Sequence, residues 1–150
     1  MSWVQESCSR SVIMKTLSTF LLLLTWAVTI HAADPLQTLS SIHDFAFGGI
    51  GVAGTTSGGE GAFREIYNRP SAKDDFLKLL NSGNPQARCY ALVALRGLNP
   101  QIYSSEIEKY KKDKTKVTTI GGCMIAVFPM SSVATNIEAG YYDSYIKKHK

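Results

Sequence analysis

The stretch DDFLKLLNSGNPQARCYALVALRGL, residues 74–98, decides how the fold is read. Phe76, Leu77, Leu79 and Leu80 make the apolar stripe of one helix, and Gly83 supplies a residue that ends helices without a Cβ penalty. Asn84-Pro85 then gives an N-cap and a first-turn proline. Ala87, Tyr90, Ala91, Ala94, Leu95 and Leu98 recur at spacings of three and four, the mark of a second helix with a broad buried face. The stretch therefore predicts two helices joined by a tight turn.

The same punctuation extends in both directions. Ser71 caps toward Asp74 at the start of the first helix. Upstream, Ser57 followed by Glu60 is a capping-box pattern, in which the hydroxyl accepts from a first-turn amide and the Glu reaches back to the cap amide. It predicts a helix from about Gly58 that turns Ala62, Phe63, Ile66 and Tyr67 inward and stops before Pro70. Downstream, Asn99-Pro100 restarts the chain into a more charged helix carrying Ile102, Tyr103, Ile107 and Tyr110. Pro129, Met130, Val133, Ala134 and Ile137 predict a last short helix up to Gly140. Residues 117–128, VTTIGGCMIAVF, are β-branched and apolar around Gly121-Gly122. They read as a short β-hairpin near 117–127 or as a buried irregular segment tethered at Cys123. Tyr141, Tyr142 and Tyr145 either form an exposed patch or cap the core with wet hydroxyls. The fold class expected is a mainly α, small helical domain over 33–150.

Residues 74–98 resemble a single HEAT-type helical repeat: an apolar first helix, a turn at Gly83-Asn84-Pro85, and a second helix with Ala and Leu inward and Arg88 near its start. The resemblance covers about a fifth of residues 33–150. It implies a helical hairpin; HEAT proteins stack several such units to present a surface to partner proteins, and one unit makes no solenoid.

Upstream of the helices, Gly48–Gly61 contains seven glycines, among them Gly49, Gly51 and Gly54 in G-x-G-x-x-G spacing. A dinucleotide site needs a strand before the glycines and a helix directly after them, so that the positive helix end meets the pyrophosphate. Here Thr55-Thr56-Ser57-Gly58-Gly59 postpones the helix, and no alternation of strands and helices follows. The segment reads as a loop feeding the first capped helix. Its functional form would be an anion or peptide nest built on Gly54, Thr55, Thr56, Ser57 and Gly58.

The amino-terminal end carries a different signal. Leu17–Ile30 (LSTFLLLLTWAVTI) is uncharged, follows Lys15 and precedes His31-Ala32-Ala33, the three-part pattern of a secretory signal peptide. Residues 1–32 are expected to be such a segment, with cleavage after Ala32 and with Met14 the natural start. At 14 residues the apolar block is short of the roughly 20 that a membrane span needs. Residues 33–150 carry 14 basic and 11 acidic side chains, a mild +3. Five of the lysines fall in Lys109–Lys116, a cluster suited to weak contact with anionic surfaces or simply to solvation. No nucleic-acid partner is expected of an exported chain. Stable membrane insertion after cleavage is not expected.

After cleavage two cysteines remain, Cys89 and Cys123, and an even count in an oxidising compartment predicts a disulfide. Closing a loop of about 35 residues would be worth on the order of 4 kcal/mol through chain entropy. The alternative is two buried thiols. These cysteines with His43 and His149 show no metal-ligand spacing, so no metal and no cofactor is expected. His43 is the one credible catalytic imidazole, and Ser41-Ile42-His43-Asp44 is too local for a triad. The expectation is an exported binding or structural module, secreted or periplasmic, whose partner is another protein or an envelope component. The alternative is a small secreted hydrolase using His43 beside Gly48–Gly61.

Overall fold

The computed structural model describes residues 33–147; the expected signal segment, Met14, Cys8 and His149 lie outside the described residues. Caps set the helix starts. Asp34 accepts from Leu36 N–H at 3.2 Å and Pro35 occupies the first turn of α1, Pro35–Ser40. A two-residue strand β1, Gly49–Ile50, pairs antiparallel with β2, Thr55–Thr56. Ser57 then accepts from Glu60 N–H at 2.9 Å to open α2, Gly58–Tyr67. Next come α3, Ala72–Leu80, and α4, Pro85–Leu98, the helical hairpin expected over 74–98. Asn84 caps α4 by accepting from Gln86 and Ala87 N–H, and its amide nitrogen donates to the carbonyls of Ser40 and Ile42. One side chain therefore starts α4 and ties it to the end of α1. Asn99 repeats the device for α5, Pro100–Tyr110, accepting from Ile102 N–H at 3.1 Å.

Residues 116–129 resolve the open alternative as a hairpin: β3, Lys116–Gly121, pairs antiparallel with β4, Met124–Pro129. Gly122 takes φ +59°, the left-handed conformation its tight turn needs. The chain closes with α6, Met130–Glu138, and α7, Asp143–Lys147. The described residues thus form a mainly α domain of seven helices with two small antiparallel hairpins.

Helix α4 sits at the centre. Cys89 through Leu95 are all fully buried, so the helix is enclosed around its whole circumference rather than on the one broad face its periodicity indicates. Ring packing fills one side: Phe45 lies edge-on to Tyr90 with centroids 4.9 Å apart and to Tyr142 at 5.1 Å. The Tyr90 hydroxyl donates to Ala46 O and accepts from Ala46 N–H, each at 3.0 Å, which satisfies a buried polar group. Gly59 permits this approach, because a Cβ there would stand 2.4 Å from that hydroxyl oxygen.

Three local expectations change. Glu60 does not reach back to the Ser57 amide; it accepts from Gly48 N–H at 2.9 Å and from the Arg64 guanidinium one turn on. The charged partner at i+4 and the part-buried Gly48 amide outcompete the capping box. Ser71 makes no cap bond and instead donates to Asp75 at 2.7 Å, and α3 stops at Leu80 rather than Gly83. Tyr142 and Tyr145 are half-buried against Phe47, while Tyr141 is exposed, so the tyrosines divide between the two readings.

Candidate functional site

The glycine segment is a miniature hairpin. Thr55 and Thr56 lie in β2 opposite Ile50 and Gly49, Thr55 donates from its hydroxyl to Ile50 O, and Gly54 N–H donates to Gly51 O at 3.2 Å. Ser57 is buried, with its hydroxyl held between Glu60 N–H and Ala46 O, and Gly58 is exposed at the helix start. The five residues of the expected nest are therefore divided between a turn, a strand and a helix cap, and the Ser57 hydroxyl is fully engaged.

The expected Cys89–Cys123 disulfide is not formed: both are free, Cys89 buried and Cys123 exposed. Cys89 packs with its Sγ 3.5 Å from Met130 Sδ, at the foot of the β3–β4 hairpin, while Cys123 forms the turn at its tip. Six strand residues, Met124–Pro129, separate Cys123 from Met130, about 20 Å of extended chain, against the roughly 7 Å limit between the Cα atoms of a disulfide. Burial, with Asp113 adding to it, pushes the Cys89 thiol far up and makes it unreactive.

His43 is exposed, and its ring forms no hydrogen bond among the described residues. The neighbouring Ser41 hydroxyl donates to Gln37 O at 3.0 Å. Within the lysine cluster, Lys109 pairs with Glu106 and Lys111 bridges Glu108 and Glu138, which leaves Lys112, Lys114 and Lys116 exposed. No group of three potential ligands is placed to hold a metal ion among the described residues, and no helix among them is long and apolar enough to cross a membrane.

A concavity lies elsewhere among the described residues. A pocket of about 490 Å³ opens between α2, α4, α5 and α7, walled chiefly by Tyr67, Arg96, Gly97, Tyr103, Asp143 and Ile146. That volume falls within the range of small-ligand sites. Arg96 donates from Nε to Asp143 Oδ1 at 2.9 Å and from Nη2 to Oδ2 at 3.3 Å, a bidentate pair, and its Nη1 donates to Glu138 O. Its guanidinium carbon stands 5.6 Å from the Tyr103 ring centre. The bond to Asp143 holds the Arg96 pKa above its ordinary value.

Tyr103 is buried, and its hydroxyl has no hydrogen-bond partner among the described residues. Burial raises the pKa of both Tyr103 and Tyr67, in Tyr103 against the opposing pull of Arg96, so both hydroxyls stay protonated donors at neutral pH. Gly97 shapes the wall: a Cβ there would meet the Tyr67 hydroxyl at 2.6 Å. None of these residues stands out in the sequence, because Arg96 and Asp143 are 47 positions apart. The only local signal is a glycine inside the last turn of an otherwise strong helix. Comparison with protein-family models, with characterised proteins and with solved structures found no match to this chain.

Proposed function

We propose that this chain is an exported binding module, secreted or periplasmic, built around a HEAT-like helical hairpin and serving a protein or envelope partner. Its pocket between α2, α4, α5 and α7 takes a small, neutral, partly aromatic ligand. The observation that carries the reading is the pocket's chemistry. Asp143 neutralises Arg96, so a charged ligand gains little there, whereas the Tyr67 and Tyr103 rings offer stacking surface. The unpartnered Tyr103 hydroxyl offers a donor to a ligand carbonyl once its ring shifts slightly.

Benzamide, a neutral ring bearing a carbonyl, is a suitable probe. Titrated to about 10 mM, it is expected to move the backbone resonances of Gly97, Ser104 and Ile146 selectively. Tyr103→Phe should weaken that binding about fivefold, the worth of one neutral hydrogen bond. Shifts spread over the whole domain, or binding indifferent to Tyr103→Phe, would remove the pocket from the proposal.

Export is checked by intact mass. Protein recovered outside the cytoplasm is expected to begin near Ala33 and to gain one alkyl group at Cys123 when native and a second, at Cys89, only when unfolded. No reductant should be needed. Full-length protein confined to the cytoplasm would overturn export.

A further inference from the structure

The β3–β4 hairpin has two edges, and one of them is already covered. Phe45 N–H donates to Thr118 O at 2.8 Å, Ile120 N–H donates to Phe45 O at 3.1 Å, and Gly51 N–H donates to Gly122 O at 2.9 Å, all on the β3 side. Register identifies the groups left on the β4 side. Gly121 and Met124 flank a two-residue turn, so the pairs 121–124, 119–126 and 117–128 exchange hydrogen bonds within the hairpin. Ile125 and Val127 therefore turn their N–H and C=O groups outward, where no backbone partner stands among the described residues.

Exposed edges are normally protected by lysines, bulges or very short strands. This one is six residues long, carries no charge from Met124 to Pro129, and has proline only at its last position. Met124 is 76% exposed and Phe128 45% on one face, and Ile125 and Val127 are exposed on the other. Four large apolar side chains at such exposures leave on the order of 400–500 Å² per protomer, the size of patch that marks an interaction site.

We infer that β4 is the contact of a symmetric dimer, in which two copies pair this strand antiparallel about an axis at Ala126. The strand is complementary to itself in that register. Ile125 faces the partner's Val127, the two outward-turned residues meet, and each pairing exchanges both backbone bonds. On the opposite face Met124 meets the partner's Phe128, a thioether against an aromatic ring. Ala126, the smallest side chain of the strand, falls on the axis. Shifting the register by one hydrogen-bonded step either way sets Phe128 opposite the partner's Gly122 or Ala126 and loses these contacts. No like charges meet within the strand. The apolar area of two copies, on the order of 1,000 Å², is at the low end for specific interfaces, so association belongs in the micromolar range. This inference is independent of the pocket.

The test uses protein expressed from the full sequence with Cys8→Ser, spin-labelled at Cys123. Sedimentation over roughly 1–200 µM is expected to show a monomer–dimer equilibrium. In the dimer the labels should lie about 20 Å apart, six residues of strand. Val127→Lys is expected to weaken association at least about tenfold, and Val127→Pro likewise, since it removes an outward N–H and spares the bonds to β3. Monomer throughout the concentration range, as when Leu17–Ile30 or lipid covers the edge instead, would overturn the inference. So would a label distance outside roughly 15–30 Å or a dimer indifferent to both variants.

Discussion

Replacing Glu60 by Ala is expected to destabilise the domain by about 3 kcal/mol, the lower end of the cost of breaking a buried charge pair. The carboxylate is 1% exposed and holds two donors, Gly48 N–H at 2.9 Å and the Arg64 guanidinium. Its removal leaves a cation and a part-buried amide without their acceptor. Arg64 is 32% exposed and can partly rehydrate, which keeps the loss near the bottom of the range. Arg64 Nε is already without a partner among the described residues, so no protein acceptor stands ready to replace Glu60. Urea unfolding is the measurement, with Glu60→Gln alongside it to retain an acceptor oxygen and lose less. A loss under about 1 kcal/mol for Glu60→Ala would show that the carboxylate is not the anchor of the Gly48 segment.

Phe45→Ala should cost about 3–5 kcal/mol, the usual range for emptying an aromatic site in a core. Phe45 is 1% exposed and its ring meets those of Phe47, Tyr90 and Tyr142 at centroid distances of 5.5, 4.9 and 5.1 Å. Its backbone also carries the two bonds that dock β3. Loss of the ring is therefore expected to lower the urea midpoint and the near-ultraviolet dichroism of the tyrosines together. Phe45→Leu, which refills part of the volume, should recover roughly half of the loss. A cost below about 1.5 kcal/mol, or Leu no better than Ala, would contradict the ring packing described. For a domain whose whole stability is of order 5–15 kcal/mol, either substitution removes a large share.

Much of the helical architecture was legible in short windows. Asn84-Pro85, Asn99-Pro100 and Ser57 mark true helix starts, because a cap bond joins residues two or three apart and needs nothing else from the chain. Where a distant group competes, the local reading fails. Glu60 left its capping box for the Gly48 amide, twelve residues away, and for Arg64. Helix α7 was read only as a run of tyrosines, since its five residues are positioned through the Arg96–Asp143 pair and the contact of Ile146 with α4. The pocket went unread for the same reason.

The sequence by itself determined the mainly α class, the starts of α2 to α6, the tight turn between α3 and α4 and the apolar faces, all of which follow from propensity, capping and periodicity over a few residues. Only the tertiary structure decided that α4 is enclosed on every side, that Cys89 and Cys123 stand at opposite ends of a hairpin, and that β4 is the edge without a backbone partner among the described residues. Parity made the two cysteines look like a pair, yet pairing depends on where their Cα atoms lie. That position is set by packing between residues distant in the chain, which no local pattern encodes.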